Sequence, residues 1–162
     1  MPINQVIANA SPLITLYKSQ LADLLPQLFG EIQVPPAVWE EVTARKDDIA
    51  AWSLPQTPWI VKTKPVTLNP LVSAWDLGAG ESAVISYALS RSDHTVLIDD
   101  AAARRCAISL NIQTLGTGGV IVLAKRRGLI PSVEAPIQAL RDAGLWLSDG
   151  LVALLKQQAN RP

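Results

Sequence analysis

The chain has 162 residues, is 49% hydrophobic, and balances 14 basic against 14 acidic side chains. That composition excludes a disordered protein, and the length suits one domain, residues 1–162, with a substantial core. Zero net charge counts against a dedicated nucleic-acid-binding module, and no apolar run approaches the roughly 20 residues that span a bilayer.

The predicted elements alternate between short apolar strands and helices. Residues 5–9 (QVIAN) read as a first strand. Ser11 is the expected N-cap of the helix that follows, with Pro12 at its first position. Leu21 to Phe29 reads as a second helical piece stopped by Gly30. A strand over 31–34 ends at Pro35-Pro36, and a helix is expected from Pro36 to Ala44. Residues 45–58 are mixed, 59–64 (WIVKTK) alternate like an outer strand, and 65–80 read as a surface excursion rich in Pro and Gly. A helix over 81–91, a strand over 96–99, a helix over 101–110 and a strand over 113–115 follow. Gly116-Thr-Gly-Gly119 opens a helix to Arg127 with Gly128 as its stop, and helices over 131–143 and 148–158 close the chain. Such alternation predicts a parallel sheet covered on both faces, with ligands beyond the carboxyl ends of the strands.

Four acidic positions attract attention. At 100° per residue, Glu41 shares a helix face with Val38 and Val42, so it is expected to turn inward and Glu40 outward; the plainer alternative is a border residue reaching solvent. Glu81 shares a face with Val84, Ile85 and Ala88, or serves as a first-turn acid complementing the helix dipole. Asp99 and Asp100 follow a buried strand. One can cap the next helix, which leaves the other for different work; Asp100 is taken as the inward ligand and Asp99 as its neighbour. Asn9, ending the first strand, offers an amide oxygen or merely satisfies a turn. Carboxylates gathered this way repel one another, and a hard divalent cation, Mg²⁺ or Mn²⁺, relieves that. Such an ion orients and activates water against a phosphodiester. A site of that kind is itself acidic, so neutral net charge weighs less against a metal-dependent nuclease. No His cluster or Cys pair suggests zinc.

Other residues invite plainer readings. His94 is expected in a solvated polar turn. Cys106 is expected to be a buried structural thiol; as the only cysteine it offers no disulfide framework, and with a start, Met1-Pro-Ile-Asn, free of basic residues, it points to a cytoplasmic protein. Trp52, Trp59 and Trp75 are interface candidates. Lys125-Arg126-Arg127 reads as a solvated helix end, with RNA phosphate contact as the alternative.

The ordered set of motifs resembles a PIN-domain protein, of the bacterial PIN-like branch that opens with Ser-Pro-Leu-Ile. The pieces are Asn9-Ala-Ser-Pro-Leu-Ile14, Val34-Pro-Pro-Ala-Val-Trp-Glu-Glu-Val42, Gly78-Ala-Gly-Glu-Ser-Ala-Val-Ile85 and Leu97-Ile-Asp-Asp-Ala-Ala-Ala-Arg-Arg105. Leu115-Gly-Thr-Gly-Gly-Val120, Ala124-Lys-Arg-Arg-Gly-Leu-Ile130 and Gly144-Leu-Trp-Leu-Ser-Asp149 complete it. The resemblance implies a three-layer α/β/α fold with a central parallel sheet. It also implies an Mg²⁺- or Mn²⁺-dependent ribonuclease of the kind found as the toxin of type II toxin–antitoxin pairs, blocked by a small antitoxin protein and often dimeric. By motif, Asn9, Glu41, Glu81 and Asp100 fall on the acidic site, with Asp99 adjacent and counted with them as a metal donor. Ser11, Thr117 and Arg104 are the expected substrate contacts. PIN nucleases usually carry Asp where this chain has Asn9, so a catalytically weakened protein-binding module is the rival reading. A receiver-like regulatory domain is a third, but it needs its acidic pair after the first strand.

Overall fold

The structure, a computed structural model, describes residues 5–161; residues 1–4, read above for a leader, lie outside them. In chain order the elements are β1 (Gln5–Ala8), α1 (Ala10–Lys18), α2 (Leu24–Phe29), β2 (Ile32–Val34), α3 (Pro36–Ala44), α4 (Ile49–Ser53), β3 (Ile60–Lys62) and α5 (Pro70–Ser73). Then come α6 (Ala79–Leu89), β4 (His94–Leu97), α7 (Ala101–Ser109), β5 (Gln113–Leu115), α8 (Thr117–Arg126), α9 (Glu134–Asp142) and α10 (Asp149–Ala159). A single 3₁₀ turn, Leu54–Gln56, follows α4.

The five strands form one all-parallel sheet in the order β3-β2-β1-β4-β5. Helices flank it, as the alternation of elements requires. Val6, Ile7 and Ala8 in β1 and Val96 and Leu97 in β4 are fully buried, as expected of central strands covered on both faces. Among the largest buried side chains, Leu13, Leu16, Leu25, Ile85, Ile121 and Leu140 come from the helices that cover the sheet, and Ile7, Ile32 and Leu97 from the strands.

Three local expectations needed correction. The first helix begins at Ala10, so Asn9 is its N-cap and Pro12 lies at the third helical position rather than the first. Proline is accommodated there because first-turn N–H groups have no intrahelical acceptor. His94 is not a solvated turn residue: it opens β4, and its ring is largely buried, with Nδ1 2.8 Å from Asp93 Oδ1 and Nε2 3.0 Å from Gln33 Oε1. The excursion at 65–80 contains the short helix α5, capped by Asn69, whose side chain accepts from the Leu71 N–H.

The connectivity places the site. From β1 the chain moves outward through β2 to β3, then returns to the other side of β1 as β4. Ligands in open parallel sheets sit beyond the strand ends at such a reversal. Here the reversal lies between Asn9, just past β1, and Ile98-Asp99-Asp100, just past β4; the Asn9 N–H donates to Leu97 O at 3.0 Å and ties the two ends together.

Candidate metal centre

Asn9 is 5% exposed, and its side chain makes no capping bond to its own helix. It is pressed against the start of α6, where Gly80 permits the approach. A Cβ on Gly80 would stand 3.1 Å from Asn9 Oδ1, 3.2 Å from Val38 Cγ2 and 3.9 Å from Glu41 Oε1. One missing side chain therefore lets β1, α3 and α6 converge, with the Asn9 and Glu41 oxygens around the same point. The packing of α3 on α6 makes this possible.

Glu41 does not turn inward as its helix face predicted. Both Glu40 and Glu41 are exposed; what distinguishes Glu41 is that its carboxylate leans over Gly80. Glu81, in the first turn of α6, is half-buried. Its pKa is raised, first by loss of solvent, then by the negative charges of Asp100 and Glu41, and also by a hydrogen bond with Asp100 that retains the proton. Like charges that share a crevice behave this way.

The two adjacent aspartates divide. Asp100 is the N-cap of α7: its Oδ2 accepts from the Ala103 N–H at 2.9 Å. Its charge reaches Glu81, so it both caps a helix and faces the crevice. Asp99 is turned the other way. Its Oδ1 accepts from the Thr117 N–H at 2.8 Å and its Oδ2 from the Thr117 hydroxyl at 2.6 Å. The expectation that one of the pair would be free of capping duty is thus corrected, because each aspartate holds the start of a different helix. Thr117, expected to meet substrate, is fully buried, and its hydroxyl donates to Asp99.

The Arg104 guanidinium approaches Gly116 on the side where Asp99 lies. A Cβ on Gly116 would stand 2.9 Å from Arg104 Nη1 and 3.2 Å from Asp99 Oδ1. Arg104 lines a groove of about 370 Å³ that also contains Trp146, which is 82% exposed. Ser11 is exposed in the first turn of α1, two residues from Asn9. Cys106 is buried, as expected.

The oxygen-only donor set of Asn9, Glu41, Glu81 and Asp100 has the chemistry of a hard divalent cation site. The upward shift at Glu81 is the cost that such a cation removes. Among the described residues, no three His, Cys, Asp or Glu groups form a ready-made metal cluster. A cation held by all four side chains would require them to rotate, which the exposure of Glu41 and Asp100 allows.

A parallel α/β/α fold with an acidic crevice at its topological reversal is the architecture of a class of nuclease-like domains. A family model described as a PIN domain matches residues 5–161, and the chain belongs to that family. This places it generally among nuclease-like proteins related to toxin–antitoxin systems. The chain has no match among curated proteins or among solved structures.

Proposed function

We propose that the chain, as one domain over 1–162, is a metal-dependent endoribonuclease, the toxin-like component of a type II toxin–antitoxin pair. The observation that carries this reading is the electrostatic coupling of Glu81 to Asp100 and Glu41 beside the Asn9 amide. In this reading Asn9, Glu41, Glu81 and Asp100 hold Mg²⁺ or Mn²⁺. Bound there, the cation supplies the positive charge that activates water and stabilises the leaving oxygen of a phosphodiester. Asp100 is kept in place by its bond to the Ala103 N–H and presents its other oxygen to the crevice. Glu81, crowded by the charges of Asp100 and Glu41, is the carboxylate that gains most from the cation, which would relieve that repulsion. Asn9 contributes an oxygen without charge and an N–H₂ donor for a phosphate oxygen. Asp99, held by Thr117, acts as support for the metal site rather than as a ligand, and Ser11 and Arg104 flank the RNA path. A small antitoxin, a dimeric state and a cytoplasmic location belong to the same reading. In the described residues no helix is long and apolar enough to cross a membrane.

The test is cleavage of a panel of RNAs with Mg²⁺ or Mn²⁺ by the unmutated chain and by Glu81→Gln. Metal-dependent cleavage lost in the variant supports the proposal; no cleavage of any RNA by the folded, unmutated chain counts against it. Asn9, neutral where relatives usually carry Asp, favours a second reading: a catalytically weakened protein-binding module. That reading expects no metal binding and no gain from Asn9→Asp.

A further inference from the structure

A cleft of about 620 Å³ lies away from the acidic crevice. Its floor is Gln33 of β2 and Val61 of the edge strand β3, and one wall is the C-terminal end of α6 with Ser86 and Tyr87, continued by Ser90 just past it. The other wall is the irregular segment 63–70. That segment is anchored at both ends: the Thr63 N–H donates to Val34 O at 3.0 Å, and the Asn69 N–H donates to Ser86 Oγ at 3.1 Å. Ser86 is 4% exposed, and because it accepts that bond its own O–H remains available to donate.

The charge on this cleft is one-sided. Lys64 and Arg91 line it, and no carboxylate does, in a chain whose acids and bases are equal in number. Neither cation has an ion-pair partner among the described residues. Arg91 is already immobilised: its guanidinium stacks 3.7 Å from the Tyr87 ring centroid, and Nη1 donates to Ser90 Oγ at 2.8 Å. Much of the entropy of ordering that side chain is therefore lost before any ligand arrives. The segment 65–70 adds apolar wall from Pro65, Val66 and Leu68.

We propose that this cleft binds a nucleotide, with its phosphate between Lys64 and Arg91 and its base and sugar along the apolar segment. A phosphate dianion satisfies two cations at once, whereas a carboxylate neutralises only one. The volume falls within the range of small-molecule sites and leaves room well beyond a phosphate. The nucleotide is either free or part of an RNA strand. Glu81 in the first turn of α6 and Ser90 at its C-cap are nine residues apart, about 14 Å, so a strand that reaches the cleft can also pass the crevice. The proposal does not depend on the chain being a nuclease.

The test is calorimetric titration in EDTA with 5′-AMP and, separately, with single-stranded oligoadenylate lacking a terminal phosphate. The proteins are the full unmutated chain, Lys64→Ala, Arg91→Gln and Asp100→Asn. Binding of AMP that weakens at least tenfold in Lys64→Ala and Arg91→Gln, and is unchanged in Asp100→Asn, identifies a free-nucleotide site. The same pattern with the oligomer alone identifies a strand subsite. The proposal is overturned if neither probe binds saturably. It is also overturned if binding is indifferent to Lys64→Ala, an exposed residue without a partner whose removal leaves the fold intact.

Discussion

Thr117→Val separates the two roles assigned to the Asp99-Asp100 pair. The substitution keeps a β-branched side chain of similar size and deletes one hydroxyl. That hydroxyl donates to Asp99 Oδ2 at 2.6 Å from a fully buried position, while the Thr117 N–H still bonds to Oδ1 at 2.8 Å. A hydrogen bond to a charged acceptor contributes about 1.5–3 kcal/mol. For a chain of this size each kcal/mol moves Tm by roughly 2–4 °C, so Tm should fall by about 3–12 °C. Asp100 and Glu81 do not touch Thr117 in this arrangement, so Mn²⁺ affinity should stay within about threefold of the unmutated value, a difference under 1 kcal/mol. Differential scanning calorimetry and Mn²⁺ titration on the same preparation check both parts. An unchanged Tm with Mn²⁺ affinity lowered tenfold or more would refute the reasoning, since Asp99 would then be a ligand and not a support.

Glu81→Gln should raise stability at neutral pH and flatten its pH dependence. Because the folded pKa of Glu81 is raised, its contribution is most favourable below the ordinary glutamate range and is lost as pH rises through the folded value. Urea unfolding from pH 4 to 8 measures this, and a steeper fall in the variant would contradict it. Gly80→Ala places a methyl 3.1 Å from Asn9 Oδ1 and 3.2 Å from Val38 Cγ2, both buried. Overpacking costs about 1–3 kcal/mol, and the gain in helix propensity offsets up to about 1 kcal/mol of it. The net result is a lowered Tm with weaker Mn²⁺ binding; an unchanged Tm would mean that Asn9 and Val38 yield freely. Asn9→Asp, which adds a carboxylate to the crevice, should strengthen Mn²⁺ binding about tenfold while lowering metal-free stability, and loss of affinity would count against Asn9 as a donor.

The sheet and most helices were legible because strong local signals mark them. Pro36 and the Val38–Val42 face define α3 to the residue. Gly30 and Gly128 end α2 and α8 with φ of 74° and 75°. The helices α4 and α5, of five and four residues, are too short to carry a helical period and lie among prolines. The acids were legible as candidates, but their directions were not. Which of Asp99 and Asp100 faces the crevice depends on Thr117, eighteen positions away, and on the helix each one caps. His94 was misread because its burial comes from Gln33 and Tyr87, on β2 and α6. The cationic cleft left no trace in the sequence, since Lys64 and Arg91 line one cleft only through the packing of a loop on α6.

The most direct test of the central claim is a Mn²⁺ titration by calorimetry on the unmutated chain and on Asp100→Asn. Asn is as good an N-cap as Asp, so the substitution removes the charge and spares α7. The account predicts saturable binding by the unmutated chain that weakens at least tenfold in the variant. Equal binding by both proteins, or none by the unmutated chain, would contradict a metal site built on Glu81 and Asp100.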